Sequence, residues 1–287
     1  MSGIRVRSLT KAYGRLPVLH GIDLDVQPGE VVGLIGPNGA GKTTLMSCVI
    51  GFLRPDGGEV SIDGRASDEI DIRRRTGFVP ERMNFDRRAS GRAFLRYMAR
   101  LAEVPREEVN ARVDTLLDRL GLSDAGKRLL GQYSRGMLQR IGMCQALVRE
   151  PDFLFLDEPT SGLDPNGVFL VRDLIAEQKR RGAAVLLNSH QLAEVEKVCD
   201  RVVFLNKGVI ALDELLRDAT KIVIAITLLP GSFDPAAINA VDNVVTATVA
   251  SEDEIAQLVA RVVGTGAGVI DVRRRTTDLE SIFRGNA

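Results

Sequence analysis

The hydrophobic pattern of the first 215 residues predicts buried strands that alternate with helices. Continuous apolar runs at residues 30–36, 153–157 and 183–189 are typical of strands buried on both faces of a parallel sheet. Apolar residues alternate with polar ones over 4–6 and 22–26, which instead predicts half-buried antiparallel strands near the start of the chain. We therefore expect an α/β fold in which an antiparallel segment accompanies a parallel core.

Helical periodicity dominates the middle of the chain. Apolar residues recur at helical spacing between residues 90 and 130, and "MLQRIGMCQALVRE" (137–150) predicts a further helix that ends at the following proline. The stretch "KTTLMSCVIGFL" (42–53) predicts a helix directly after the first buried strand. The stretch "RVVFLNKGVIAL" (201–212) predicts a hairpin that turns at residues 206–208.

The pattern changes near residue 215 and indicates a second, smaller domain. Strands are predicted over 221–229, 243–250 and 269–275, and helices between the first two of these strands, over 252–263 and over 277–284. This segment contains no glycine-rich phosphate loop and no catalytic cluster. We therefore expect one main domain over residues 1–215 and a small α+β domain over 216–287.

The charge balance argues against a nucleic-acid-binding surface. Lys and Arg number 38, and Asp and Glu also number 38, so the formal net charge is zero; nucleic-acid-binding domains are typically basic. Three widely spaced cysteines match neither a zinc site nor a disulfide framework. No stretch reaches the roughly 18 apolar residues of a membrane span. We expect no nucleic-acid partner, and we expect any membrane role to come through another protein.

A glycine-rich stretch after the first buried strand carries the clearest chemical signal. The sequence "GPNGAGKT" (36–43) fits the phosphate-loop pattern G-x-x-x-x-G-K-[ST]. Glycines let the backbone curl so that successive N–H groups face a phosphate. Lys42 would then reach the β- and γ-phosphates, and the Thr43 hydroxyl would lie on Mg²⁺. The alternative is an ordinary glycine-rich turn between a strand and a helix.

An acidic pair ends the second buried strand. In "FLFLDEPT" (153–160) the strand runs into Asp157 and Glu158, and ligands of α/β sheets lie beyond the carboxyl ends of the strands. Asp157 is then placed to hold Mg²⁺ through water, and Glu158 to polarise an attacking water. The alternative is a pair of carboxylates that cap the next turn.

Three further residues stand at positions where a nucleotide could be contacted. Ser134 precedes a helix-forming run and predicts a helix N-terminus, which attracts anions and looks like half of a phosphate site. His190 could hydrogen-bond the γ-phosphate or serve a structural role. Tyr13 could stack on adenine or simply pack against its neighbours.

The order of these motifs resembles that of the nucleotide-binding subunit of an ATP-binding-cassette (ABC) transporter, over residues 2–215. The matching motifs are, in chain order, the aromatic A-loop (Tyr13), Walker A (36–43), the signature motif ("YSRGM", 133–137), Walker B (Asp157 and Glu158), the D-loop ("SGLD", 161–164) and the switch histidine (His190). The resemblance implies an ABC-type P-loop NTPase fold: a RecA-like core, an antiparallel β-subdomain and a helical lobe near residues 86–150.

The resemblance also implies the roles of individual residues. Glu158, His190 and Lys42 would be catalytic, and Thr43, Asp157 and Glu81 would be placed at Mg²⁺. The nucleotide would be bound by Tyr13, Gly36, Pro37, Asn38, Gly39, Ala40, Gly41, Lys42, Thr43, Thr44, Ser134, Gly136 and Asp164.

In this family two cassettes pack head to tail, and each ATP lies between the Walker A motif of one copy and the signature helix of the other. The half-site at Ser134 would therefore be completed by a second copy of the chain. The resemblance implies an ATPase with ATP and Mg²⁺ as cofactors, in the cytoplasm on the inner face of the cell membrane. Its partner would be an integral membrane permease.

Two departures from the family pattern bear on the mechanism. The signature motif has Arg135 for a glycine and Met137 for a glutamine, and "GFVPERMNF" (77–85) places Glu81 where most relatives have a glutamine. Glu81 could ligate the metal or face the membrane subunit. Together with a tail that closes in "DLESIF" (278–283), these features resemble the ABC-2 exporter subgroup, which implies export.

Two other functions compete with this interpretation. One is a soluble ABC ATPase of translation or DNA maintenance, although such proteins usually fuse two cassettes and only one Walker A motif occurs here. The other is a regulatory or assembly module that binds ATP with little hydrolysis, as Glu81 and Arg135 suggest.

Overall fold

The computed structural model describes residues 2–216, 222–233, 240, 243–249 and 252–274. The chain divides into two compact units, and the boundary along the sequence falls between Glu214 and Leu215. The expected helix over 277–284 and the stretch "DLESIF" lie outside the described residues. No helix in the described ranges has the length and apolar character needed to cross a membrane.

The first unit is a mixed α/β structure, which confirms the predicted fold class. Up to the boundary, its elements are β1 (Ile4–Tyr13), β2 (Leu16–Val26), β3 (Val31–Ile35), α1 (Lys42–Ile50), β4 (Gly57–Ile62), β5 (Arg65–Ala66), α2 (Ile70–Arg74), β6 (Thr76–Val79), α3 (Gly91–Leu101), α4 (Val109–Arg119), α5 (Arg135–Leu147), β7 (Phe153–Asp157), α6 (Pro165–Arg180), β8 (Ala184–Asn188), α7 (Leu192–Val198), β9 (Arg201–Asn206) and β10 (Val209–Leu215).

A six-stranded sheet in the order β10-β9-β3-β8-β7-β6 forms the core of this unit. The strands from β9 to β6 pair in parallel, and every residue of β3, β7 and β8 is buried. Burial on both faces is what their continuous apolar runs predict. Because the strands are parallel, the loops after β3, β8, β7 and β6 all leave from one edge of the sheet.

A second sheet, in the order β2-β1-β4-β5, is antiparallel. Its inward-facing apolar side chains share one core with α1 and the parallel sheet. In the turn after β4, the Asp63 carboxylate accepts hydrogen bonds from the Ser2 N–H (2.7 Å) and from Arg75 (2.8 Å). These donors lower the pKa of Asp63 to about 2. The Asp63 carboxylate thus joins both Ser2 at the start of the chain and Arg75 to the turn after β4.

Helices α3, α4 and α5 pack together as the helical lobe. The Ser90 side chain caps α3, and the Ser134 side chain caps α5, as expected for serine at a helix N-cap. The predicted helix over 42–53 is too long: α1 ends at Ile50 because Gly51 adopts a left-handed conformation (φ 82°) that stops the helix.

The second unit is a small α+β structure. Its described elements are β11 (Ile222–Leu228), β12 (Val244–Val249), α8 (Glu252–Gly264) and β13 (Val269–Arg274). The strands form an antiparallel sheet in the order β12-β11-β13. Apolar side chains of β11, including Ile224 and Ile226, pack with Val262 of the helix in a core of their own.

Candidate nucleotide-binding site

The glycine-rich loop after β3 can adopt its path only with glycine at defined positions. A Cβ on Gly36 (φ 150°) would lie 2.1 Å from the Leu205 carbonyl oxygen, and a Cβ on Gly41 (φ 104°) would lie 2.8 Å from a methyl of Leu19. The loop leads straight into α1, whose N-cap Gly41 provides no side-chain hydrogen bond. The first N–H groups of α1 are therefore open to an anion at the positive end of the helix dipole.

Lys42 lies at the start of α1 and folds back over the loop. Its ammonium donates hydrogen bonds to the carbonyl oxygens of Gly36 (2.8 Å) and Pro37 (3.1 Å). Burial lowers the pKa of Lys42, whereas the nearby charges of Glu158 and Asp157 raise it. The loop thus holds a cation beside open backbone N–H groups, a combination suited to phosphate.

The acidic pair lies at the carboxyl edge of the same sheet. Asp157 ends β7 and accepts a hydrogen bond of 2.5 Å from the Asn188 side chain at the end of β8. Burial raises the pKa of Asp157, and the Asn188 hydrogen bond opposes that shift. Glu158 follows with φ 51°, a left-handed conformation that is strained for a non-glycine residue and is common at functional sites.

Glu158 and His190 lie side by side. The backbone N–H of His190 donates to Glu158 Oε1 (3.1 Å), and His190 Nδ1 lies 2.8 Å from Glu158 Oε2. That second contact lacks hydrogen-bond geometry, so the buried Oε2 atom receives no well-formed hydrogen bond from the described residues. A buried carboxylate oxygen without a donor is costly, and this one is available to accept a hydrogen bond from a water molecule.

These groups line one cavity of about 590 Å³, a volume typical of small-molecule sites. The expected site residues on its wall are Asn38, Gly39, Gly41, Lys42, Thr43, Thr44, Glu81, Asp157, Glu158 and His190. Val18, Ser161 and Asn188 also line it and were not singled out from the sequence. Two of these have a local signal: Ser161 begins the D-loop motif "SGLD", and Asn188 is a polar residue that ends an apolar strand.

The residues on this wall fit Mg²⁺ together with a nucleotide. Mg²⁺ is usually held by one or two protein oxygens plus substrate phosphates, and the cavity offers the Thr43 hydroxyl and the Asp157 carboxylate. No group of three or more His, Cys, Asp or Glu side chains in the described ranges could hold a metal. The site therefore suits a metal that arrives with phosphate rather than one caged by protein.

Seven expected nucleotide contacts do not line this cavity in the single chain: Gly36, Pro37 and Ala40 belong to the glycine-rich loop itself, and the other four lie elsewhere. Tyr13 is 53% exposed at the end of β1. The Ser134 hydroxyl caps α5 by accepting a hydrogen bond from the Met137 N–H (3.2 Å). Asp164 caps α6 in the same way, accepting from the Gly167 N–H (2.8 Å). Neither these residues nor Gly136 line the cavity.

The two capped helix starts touch each other within the chain. The Arg135 guanidinium donates a hydrogen bond of 2.9 Å to the Ser161 hydroxyl, and its side chain lies over Gly162. A Cβ on Gly136 would lie 3.1 Å from the Gly162 carbonyl oxygen. Arg135 therefore joins the start of α5 to the loop that follows the acidic pair.

The loop after β6 also contacts α5. The thioether of Met83 occupies the space that a Cβ on Gly142 would need, with Met83 Cε 2.0 Å from that position. Glu81, two residues earlier, is exposed on the cavity wall, and its charge contributes to raising the pKa of Asp157.

The comparisons with known proteins agree on one protein family. A family model described as "ABC transporter" matches residues 19–161. An uncharacterized ABC transporter ATP-binding protein of Nostoc sp. is 45% identical over 204 residues, which are 69% of this chain and 61% of the relative. A daunorubicin resistance ATP-binding protein of Streptomyces coeruleorubidus is 36% identical over 80% of this chain and 78% of the relative. The solved dimeric structure of a bacterial ABC transporter cassette matches with a TM-score of 0.69 at 26% identity, covering 75% of this chain and 99% of that one.

The matches cover different shares of these proteins. The chain spans less than two thirds of the Nostoc relative, 61% of its length, and nearly all of the solved cassette. The segment matched by the family model holds the glycine-rich loop, Glu81 and the acidic pair, and it ends before His190.

Proposed function

Because the chain belongs to the family of ABC transporter ATP-binding proteins, we propose that it binds and hydrolyses MgATP and thereby drives a separate membrane protein. The observation that carries this proposal is the buried Oε2 of Glu158, which receives no well-formed hydrogen bond from the described residues and belongs to a side chain that lines the same cavity as the phosphate loop. A carboxylate in that position can act on water next to a bound γ-phosphate.

The chain's own residues divide the binding of the nucleotide between backbone and side chains. The N–H groups of the loop and the first turn of α1 receive the phosphates, and Lys42 exchanges its two carbonyl acceptors for phosphate oxygens. Thr43 and Asp157 would hold Mg²⁺, which would supply positive charge to offset the negative charge of the phosphates. The exposed ring of Tyr13 stacks on adenine.

Hydrolysis depends on orienting one water molecule for in-line attack. Glu158 accepts a hydrogen bond from that water at Oε2, a general-base role worth about 10²–10⁴-fold in rate. The His190 backbone holds the other oxygen of Glu158, and its imidazole is placed to contact the γ-phosphate. Lys42 stabilises the negative charge that develops during transfer.

A second copy of the chain completes the site. Ser134, Gly136 and Asp164 lie at the starts of α5 and α6 and do not line the cavity of their own chain. A helix N-terminus is suited to bind the γ-phosphate of another copy, and a relative of known structure is a dimeric cassette. ATP then favours the closed dimer, and its hydrolysis removes that preference.

A groove between the parallel-sheet part and the helical lobe is suited to dock the membrane protein. It has a volume of about 440 Å³ and is lined by the apolar side chains of Phe52, Ile70 and Leu101 and by Arg74 and Arg149. The exposed apolar surface at Phe52, Ile70 and Leu101 beside arginines fits an apolar segment that carries acidic residues.

A fluoroquinolones export ATP-binding protein of Mycobacterium tuberculosis is 38% identical over 73% of this chain and 70% of the relative, and its name supports export as the direction of transport. A cassette that docks on a permease in this way would lie on the cytoplasmic face of the cell membrane. The cargo would be selected by the permease.

The variant Glu158→Gln tests the proposal, because it keeps the shape of the side chain but removes its charge. Phosphate release should fall by at least about 10²-fold, ATP binding should persist, and ATP should shift the protein to a dimer on a sizing column. The exposed Glu107→Gln variant is the matched control and should behave as wild type. Normal hydrolysis by Glu158→Gln would remove Glu158 from its role.

A further inference from the structure

Asn188 contacts both residues of the acidic pair, Asp157 and Glu158. It is the last residue of β8 and only 3% exposed, and its Cα is the register partner of Asp157 on β7. Its side-chain NH₂ donates to Asp157 Oδ1 at 2.5 Å, and its backbone carbonyl accepts from the Glu158 N–H at 2.9 Å. One residue therefore contacts both carboxylate-bearing positions.

The orientation of the Asn188 amide follows from its chemistry. Only the NH₂ group can face an ionised carboxylate, because the amide oxygen is an acceptor and would be repelled. The other end of the amide, Oδ1, is buried, lies in a residue that lines the cavity, and has no hydrogen-bond donor among the described residues. Buried amide oxygens are rarely left without a donor, so this atom indicates a donor that arrives with a ligand.

Hydrated Mg²⁺ supplies such donors, because it keeps several of its waters when bound to proteins. We propose that Asn188 is a positioning residue for the metal site: its NH₂ fixes the Asp157 carboxylate, and its Oδ1 accepts a hydrogen bond from a water of the hydrated Mg²⁺ ion. This inference rests on the proposed function. Groups around metal ligands that orient them in this way commonly govern metal affinity.

A role of Asn188 at the metal should affect metal-dependent nucleotide binding but not metal-free binding. The phosphate loop and Lys42 do not contact the Asn188 side chain through any hydrogen bond of the structure, so metal-free nucleotide should bind without it. The metal-dependent part of the affinity should depend on Asn188. A residue that merely supports the packing of the loop would affect both parts equally.

The experiment measures binding of a non-hydrolysable ATP analogue by calorimetry, in EDTA and across a Mg²⁺ titration, for Asn188→Ala and for Asn188→Leu, which keeps a similar size without polar groups. Binding in EDTA should stay within about twofold of wild type, the range expected when no direct contact is lost. The Mg²⁺ concentration at half-maximal gain in affinity should rise by about tenfold or more. Asn110→Ala, at an exposed site on α4, makes the same truncation away from the cavity and should match wild type.

The possible outcomes separate this inference from the function on which it rests. A Mg²⁺ dependence unchanged in both folded variants would overturn the inference, as would an equal loss of affinity with and without Mg²⁺. If Asn188→Ala does not fold, Asn188→Ser, which keeps a small donor facing Asp157, is read in the same way. Wild-type protein that binds no nucleotide under either condition would instead refute the proposed function.

Discussion

Replacing Gly36 by alanine tests whether the shape of the phosphate loop is set by close packing on the neighbouring strand. In the parallel sheet, Ile35 of β3 is the register partner of Phe204 on β9. A Cβ on Gly36 would lie 2.1 Å from the carbonyl oxygen and 3.1 Å from the carbonyl carbon of Leu205. These are backbone atoms of a paired strand, so they cannot move aside as the end of a flexible side chain could.

The size of the effect can be separated into two parts by a matched variant. Gly182 also has a positive φ (87°), but nothing lies within 4 Å of a Cβ built on it. Gly182→Ala should therefore cost only the left-handed backbone, about 1–2 kcal/mol. Gly36→Ala should cost a further 1–3 kcal/mol or so for overpacking. The total of about 2–5 kcal/mol is a large part of a typical stability of about 5–15 kcal/mol.

Urea unfolding followed by far-ultraviolet circular dichroism measures both variants on one scale. We expect Gly36→Ala to unfold at the lower urea concentration and to lose ATP binding, since the loop must move away from β9. Gly182→Ala should keep wild-type ATP binding. Equal unfolding midpoints for the two variants would show that the contact with Leu205 does not constrain the loop.

Two further variants probe contacts outside the loop. The low pKa of Asp63 means that its carboxylate stabilises the fold above about pH 4 and that this contribution is lost as the pH falls toward 2. Asp63→Asn should therefore cost about 1–2 kcal/mol at pH 7 and flatten the stability profile in that window; parallel profiles would contradict the assignment. Gly142→Ala should displace the thioether of Met83 at a cost of about 1 kcal/mol. Adding Met83→Ala should recover part of that cost in a double-mutant cycle, whereas simple addition of the two costs would exclude the contact.

The sequence predicts those parts of the fold in which burial requires a recognisable local pattern of apolar residues. The continuous apolar runs at 153–157 and 183–189 correspond to β7 and β8, because a strand covered on both faces needs apolar residues at every position. The turn at 206–208 separates β9 from β10. The family inferred from the order of the motifs is confirmed by the matches to ABC transporter proteins.

Contacts between residues that are distant in sequence depend on which strands and helices pack together. No local sequence pattern predicts that packing. The hydrogen bond from Asn188 to Asp157 requires that β8 lie beside β7, although the two residues are 31 positions apart. The contact of Arg135 with Ser161 requires α5 to pack on the loop after β7. From the sequence, Arg135 was only a departure from the signature motif. The roles predicted for Tyr13 and Glu81 stay predictions.

The charges around the cavity indicate that a single chain bound to nucleotide, without metal or a second copy, is an incomplete assembly. Its lining carries the carboxylates of Glu81, Asp157 and Glu158 against the single ammonium of Lys42, and a triphosphate adds further negative charge. Two like charges about 4 Å apart repel by about 4 kcal/mol at the effective dielectric constant near a protein surface. Mg²⁺ offsets part of this repulsion. The start of α5 from a second copy, equivalent to about half a positive charge, can offset more. Mg²⁺ and the second chain are therefore each expected to bind cooperatively with the nucleotide, since each supplies positive charge that offsets the repulsion the triphosphate faces, and ATP rather than protein surface alone would hold the two copies together.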